Sequence, residues 1–547
     1  MADGVTFVPF CGGSYPYADR NLSPQRSINF FPEEIEGADA RNKLTLRPTE
    51  GERKLSVPYV FNGPCRGLWW SSTGPDANPC LFGVWGTEFI RIRRDALGEL
   101  QAAKMGNVGA GNDYCSICDN GFIVLVTDGD GMFGTNLMDD DATAAGNYRA
   151  IPMPELGGET CRATHIGYLN QRFVCNNANG AFPARGCFLF SWMGIDDVAD
   201  MKWTWDSNVQ TLPDDIADDS PQYYSAEQNA DPLTALAVCE GKIYLFGPRS
   251  FECWAPNSDA NGYDPFSFIG GSQNQIGTQA PSSVAIIQRF VFWLGGSGGG
   301  RNMVWCVTGV ENPTRVSTNA IEQIISEKRS RSAAYGFAYA RDGHIFYCLS
   351  FPNDGTTLVY DMATKMWHER STHNWLTGDE DPWRVRYATV AFDAEVVFGT
   401  DVDEDGKSFL CALDERKGTD LDGNPLVRKR ISPIIFDAEK NVVIRDFMID
   451  AEVGTTHYLN DGPGDSISDT ISSSDANPTA LLKVSRDGGF TWKDCPWLKL
   501  GRAGQYGRIL RWKNLGMGRF ITVELTISEK TPITVVACRI AGEACLL

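Results

Sequence analysis

Apolar residues in this chain fall into short runs broken by Gly, Asp, Asn or Pro, with no long stretch at helical spacing. Cys80-Leu-Phe-Gly-Val-Trp85 is followed by Phe89-Ile-Arg-Ile92, and Gly121-Phe-Ile-Val-Leu-Val126 stands between turn residues. Gly241-Lys-Ile-Tyr-Leu-Phe246 precedes Ser250-Phe-Glu-Cys-Trp254, and Phe290-Val-Phe-Trp-Leu294 precedes Met303-Val-Trp-Cys-Val307. Gly343-His-Ile-Phe-Tyr-Cys348 leads to Thr357-Leu-Val-Tyr-Asp361 and Lys365-Met-Trp367. Each pair reads as strand, turn, strand. Units starting near 237, 285, 338 and 388 recur at about fifty residues, the period of propeller blades. Tyr360 to Trp367 has the form of a kelch-like outer hairpin.

The pattern predicts an all-β chain in three parts. Residues 1–60 carry frequent Pro, Gly, Asn and Arg without apolar periodicity, which predicts an irregular N-terminal arm held by other surfaces rather than by its own core. Residues 61–415 predict a β-propeller of six to eight blades, with a multi-sheet sandwich array as the alternative arrangement of the same strands. Residues 416–547 predict a C-terminal β-sandwich-like domain, from runs such as Asp446–Glu452, Ala480–Val484, Phe520–Thr526 and Ile533–Ala537. Between them, 455–478 is rich in Asp, Ser, Gly and Asn and reads as a long exposed loop.

Inside the last region, Ser485-Arg-Asp-Gly-Gly-Phe-Thr-Trp492 is an Asp-box. Its logic is local. The Asp487 side chain accepts N–H groups of its own turn, Gly488 and Gly489 can take positive φ, and Trp492 packs beneath. The motif occurs on enzymes and on inert scaffolds, so it argues for antiparallel architecture rather than for a reaction.

Composition narrows the function classes. With 69 acidic against 49 basic residues the net charge is −20, which repels nucleic acid and anionic lipid. No apolar run is long enough for a membrane span, and the first residues lack the pattern of a secretory signal. The 16 cysteines are scattered through apolar strands, as buried free thiols are, so the chain is expected to fold in a reducing compartment. The close pair Cys115 and Cys118 lacks the second pair that a zinc ribbon needs.

Catalytic signatures are sparse. There is no His-Glu-x-x-His, Gly-x-Ser-x-Gly or Walker loop, and Gly295–Arg301 reads as a hairpin turn. Five histidines stand at 165, 344, 368, 373 and 457, and only His368 and His373 lie near each other, on either side of a turn. Asp401, Asp403 and Asp405, with Gly406, match the first half of a calcium loop, but position twelve is Ala412 where a bidentate Glu belongs. The alternative is a charged hairpin tip. Asp128–Gly131 and Asp139–Asp141 read as solvated turns, and Arg428-Lys-Arg430 as surface or interface charge. No cofactor and no metal are called for, and no enzyme activity is expected.

Two stretches carry a family resemblance. Ser14 to Glu33 contains Gln25-Arg-Ser-Ile-Asn-Phe-Phe-Pro-Glu33 and resembles the opening of the packaged-DNA stabilisation, tail hub or nozzle proteins of short-tailed bacteriophages. Their Thr-Pro-Gly-like element is altered here to Pro48-Thr-Glu-Gly51, and their Arg-Gly is Arg66-Gly67. The run from Arg445 to Gly516 is also similar. The resemblance implies a structural virion protein, assembled in the bacterial cytoplasm as a homo-hexamer below the portal and the head-to-tail adaptor. Tail fibres or tailspikes would be further neighbours, DNA would pass the lumen without specific binding, and the chain would not insert into a membrane. The family brings no catalytic residues. The competing reading is a carbohydrate-binding or carbohydrate-cleaving propeller of the tail, in which Trp69, Trp70, Trp203 and Trp205 would stack on sugars.

Overall fold

The computed structural model describes residues 5–545 except 8, 18, 20–21, 38–41, 76–77, 111–113, 139–146, 180–185, 210–211, 213, 215, 227–230, 258–262, 297–301, 353, 393–394, 416, 438–439, 454–476, 503–504 and 531–532. Asp139–Asp141, His457, most of the 455–478 loop and the end of the Gly295–Arg301 turn therefore lie outside the described residues.

Among the described residues seven four- or five-stranded antiparallel blades form the propeller, the sixth continuing through Pro24–Ile28 into a sheet of the C-terminal domain. Their innermost strands are Cys65–Ser71, Ser116–Asp119, Ile166–Leu169, Ala235–Cys239, Ala285–Ile287, Tyr335–Arg341 and Val385–Ala391. Each packs on the next sheet's edge, and the seventh returns to the first. One local device recurs where the inner strand turns back. Arg341 pairs with His344 across Asp342-Gly343, both at positive φ, and Cys239 pairs with Lys242 across Glu240-Gly241, again both positive. Two-residue turns of that hand match the right-handed twist of the strands they join. The blades are glued by apolar faces such as Phe292, Tyr347 and Trp367 between the fifth and sixth.

The ring is closed by the N-terminus. Blade seven runs Val385–Ala391, Glu395–Thr400, Leu410–Asp414 and then Gly51–Lys54, with Leu413 opposite Glu52. A strand from one end of the propeller sequence thus completes a sheet from the other.

The C-terminal sandwich packs two sheets. One runs Phe30–Glu34, Leu44–Pro48, Val535–Cys545, Asn441–Ala451 and Leu510–Gly518. The other is built on Arg428–Ile431, Thr522–Ile527 and Thr479–Ser485. Alternate residues point inward, with a bulge at Arg445 resetting the phase, so Ile444, Phe447, Ile449, Leu510 and Trp512 bury their side chains in one core. In the segment expected to be irregular, about half of the described residues are strand. Its short pieces read as patternless because they are shared out among three sheets, each completed by strands far along the chain. No described helix is long and apolar enough to cross a membrane.

Candidate functional site at the domain junction

The N-terminal motif sits between the two domains and touches both. Pro24–Ile28 pairs with Arg428–Ile431 of the sandwich on one edge and, through Ile28 and Glu369, with blade six on the other. Successive side chains alternate faces. Phe30 enters the sandwich core, while Phe31 stands edge-on to His344 and Phe346 of blade six. Just before them Asn29 turns the chain at φ 53°, a conformation Asn tolerates better than most residues.

Glu369, on the outer strand of blade six and 1% exposed, collects the polar contacts. It accepts from Arg26 Nε at 3.0 Å, from Arg26 Nη2, from Ser14 Oγ at 3.0 Å and from Thr356 Oγ1 at 2.5 Å. Burial opposes its charge, but Arg26 and the hydroxyls prevail and hold the carboxyl below the usual range. Beside it Arg430, fully buried, donates to Phe10 O at 2.6 Å, Gly13 O at 2.9 Å and Gln25 Oε1 at 3.1 Å. Desolvation lowers its pKa to about 10. Lys429 pairs with Glu380, which also meets His373 Nδ1 at 3.0 Å. Arg428-Lys-Arg430 is therefore not surface charge, since Arg428 and Arg430 are buried within the chain's own junction. A groove of about 960 Å³ opens here between Arg26, Lys328, Glu380 and Trp492.

The other family elements have equally local reasons. At Gly67 an added Cβ would lie 2.2 Å from Cys115 O, so only glycine lets the first two blades approach. Arg66 next to it donates to Gly86 O at 2.7 Å and Gly109 O at 2.8 Å. In Pro48-Thr-Glu-Gly51, Thr49 N–H donates to Asn29 O, and Glu50 meets Arg341 at 2.7 Å. Gly51 sits where a Cβ would strike Lys417 O at 2.6 Å.

The propeller axis holds a cavity of about 490 Å³ lined by all seven inner strands, among them Leu68, Ile117, Gly167, Val238, Ile286, Phe337 and Ala388. That is the size of a small-molecule pocket, about 300–1,000 Å³.

The Asp-box closes as its residue types dictate. Asp487 Oδ1 accepts from Phe490 N–H at 3.0 Å, Thr491 N–H at 2.9 Å and Ser485 Oγ at 2.6 Å, and Oδ2 from Thr491 Oγ1 at 2.6 Å. Burial works against the charge, yet these donors hold the carboxyl far below its ordinary value. Ser485 Oγ accepts Gly489 N–H at 2.7 Å, and Trp492 Nε1 donates to Gly489 O at 3.1 Å. Gly488 and Gly489 have φ of 77° and 103°. The hairpin is pinned outward as well, since Gly488 N–H donates to Phe520 O and Arg486 donates to Leu515 O.

The remaining candidates are placed as follows. Asp403 Oδ1 accepts from Asp405 and Lys407 N–H, Asp401 Oδ1 from Val402 N–H, and Arg386 lies 3.6 Å from Asp401. His368 and His373 share one strand, Met366–His373, rather than flanking a turn. An odd separation puts them on opposite faces. His368 is buried and its pKa falls to about 3 by desolvation, whereas His344 is raised by Asp361 at 2.9 Å. Cys115 and Cys118 are buried on the axis, and burial pushes the Cys115 thiol up to about 12. Trp203 and Trp205 are buried, Trp69 donates to Asp119, and Trp70 stands edge-on to Phe392, so these rings are packing elements. Among the described residues, Glu50, Asp342 and Glu415 alone bring three acidic ligand atoms close together, with Arg341 on Glu50. Sequence reasoning missed Glu369 and Glu380, which stand in no motif. Arg26 and Asn29 were in view, but without partners to give them a role.

Two family models match the chain. The β-propeller of bacteriophage P22 Gp10 matches residues 198–406, and its β-sandwich matches 428–543. No curated protein matches. Among solved structures, the extracellular domain of a one-component system from B. thetaiotaomicron aligns at 10% identity and TM-score 0.36, over 84% of this chain and 47% of that one. The C-terminal domain of a chitobiase from Bacteroides fragilis aligns at 16% identity and TM-score 0.14, over 23% of this chain and 68% of that one. The chain spans about half the length of the first, and neither likeness bears on function. The two family matches together cover more than half of the residues, and the chain belongs to the bacteriophage P22 Gp10 family, the tail hub and stabilisation proteins of short-tailed phages.

Proposed function

We propose that the chain is the subunit of a hexameric tail hub or nozzle, which continues the DNA channel below portal and adaptor and closes it until infection. The observation that carries the reading is the size of the propeller axis. A cavity of about 490 Å³ has no room for a duplex, so DNA that passes this protein runs between copies. The net charge of −20 suits such a lumen, because each cation on a phosphate would add an adhesive, salt-dependent term. The propeller and sandwich, locked by Glu369 and Asn29, then serve as one rigid wall. Assembly takes place in the host cytoplasm, adaptor and fibres or tailspikes are neighbours, and no catalysis is required.

Native mass measurement of the full chain, with images of the same sample and of virions, tests this. A six-fold ring with an axial opening, or matching density at the tail tip, is expected. A monomer that cleaves or binds glycans would overturn it.

A further inference from the structure

The sandwich carries a surface of opposite character to the rest of the chain. Between 486 and 519 there are eight basic residues and two acidic ones. Residues 428–547 as a whole hold two more basic than acidic side chains, so the entire acidic excess resides in residues 1–427.

The basic residues are spatially gathered. Trp512 Nε1 donates to Pro496 O at 2.8 Å, Leu498–Lys499 packs beside strand Leu510–Gly518 while pairing with Thr479–Ser485, and Arg508 folds over Gly501. That strand ends its sheet and is hydrogen-bonded on one edge only. Lys493, Lys499, Arg502, Arg508 and Lys513 are exposed. Among the described residues none of the five forms an ion pair, whereas Arg511 is held by Asp446 at 2.8 Å. Interleaved with them are Trp497, Tyr506, Ile509 and Met517, each more than half exposed.

We infer that this strip is a docking face for a second copy of the chain, and that it seats on the acidic propeller of its neighbour. The inference rests on the ring reading above and says which surface makes the ring. Trp497, Tyr506, Met517 and the two arginines are residue types enriched in interfaces, and the lysines around them suit a charged rim. Charge complementarity selects the partner, because every copy supplies the acidic surface that the strip lacks. A basic face on one domain meeting an acidic face on another is a head-to-tail contact, the kind that closes into rings. A duplex fits less well, since the acidic remainder repels phosphate and gives Ile509 and Met517 nothing to cover.

The test compares sedimentation of the full-length wild type with Arg502→Glu/Arg508→Glu, at low and high salt. Arg249→Glu/Arg289→Glu on the propeller serves as a control for total charge. Expected is at least ~10-fold weaker self-association for the strip variant, with an unchanged thermal transition and a control that assembles as wild type does. A strip variant that forms rings with wild-type affinity overturns the inference and leaves the ring reading standing. A wild type that never self-associates at any concentration and gives no six-fold density at the tail tip of virions overturns both. Salt-sensitive binding of a duplex DNA fragment, lost in the variant while assembly persists, overturns it in favour of a phosphate-binding face.

Discussion

Asn29 and Ser371 bond to each other as two paired strands would. Asn29 Nδ2 donates to Ser371 O at 3.0 Å, and Asn29 Oδ1 accepts from Ser371 N–H at 3.0 Å. The same amide nitrogen donates to Val427 O at 2.9 Å, on the chain entering the sandwich. One side chain therefore joins blade six to the second domain through groups that are all buried.

Removing that amide leaves three buried backbone groups without their partner, each worth about 1–3 kcal/mol when unsatisfied. Asn29→Ala is expected to lose about 3 kcal/mol in urea unfolding. Asn29→Gly loses the same bonds but relieves the positive φ, so it should recover about 1 kcal/mol of that loss. Equal midpoints for the two variants would show that the backbone conformation carries no strain.

Glu369 makes the second link, and its charge state gives a pH signature. Its carboxyl is lowered in the folded chain, so its contribution is present above the unfolded value and lost as pH falls through the folded one. Glu369→Gln is expected to cost roughly 2–3 kcal/mol near neutrality, below the ~3–5 for breaking a fully buried pair, because Arg26 keeps contact with water. The acid limb of the stability curve should flatten in the variant. Denaturant midpoints followed from neutral to acid pH decide this.

How far could this have been read from residues alone? The hairpins were legible because apolar strand runs and Gly-containing turns are local signals, as at Asp342-Gly343 and Ser485–Trp492. The all-β class and the two architectures followed from them. The course of residues 24–54 was not legible. Ile28, the pair Phe30 and Leu46, and Gly51 serve three different sheets, so no window of sequence shows a period. Arg430 read as surface or interface charge for the same reason, since its partners Phe10, Gly13 and Gln25 are more than four hundred positions away.

Glu50 shifts the other way. Its carboxyl is raised to about 7, chiefly by burial and against the pull of Arg341. A group that keeps its proton longer folded than unfolded makes stability decline as pH rises, here from the unfolded value of about 4.3 up to about 7. Glu50→Gln should remove that decline and leave the more acid limb intact. A variant curve parallel to wild type over that window would rule Glu50 out as its source.

The Asp-box is expected to act as structure rather than as chemistry. Asp487→Ala frees the N–H groups of Phe490 and Thr491, but both residues are exposed and water replaces the carboxylate. The loss should be about 1.5–3 kcal/mol, the range of hydrogen bonds to a charged group, and confined to the sandwich. Trp492→Ala should add to it by removing the ring under the turn. Near-native stability in both variants, with an altered glycan-directed activity, would reverse the assignment.

Deleting residues 1–54 is the severest test of how the chain is held together. Blade seven would lose the strand opposite Leu410–Asp414, exposing an edge whose side chains Leu410, Cys411 and Leu413 are buried in the closed ring. The sandwich would lose Phe30 and Leu46 from its core, at about 2–5 kcal/mol for each large buried side chain removed. Both domains would be damaged at once, so the truncated chain is expected to aggregate rather than to yield a folded propeller. Supplying residues 1–60 as a separate chain during expression should restore soluble protein, because the strands need their partners and not their covalent position. A truncated protein that unfolds with wild-type cooperativity would mean that the N-terminal strands decorate the fold instead of closing it.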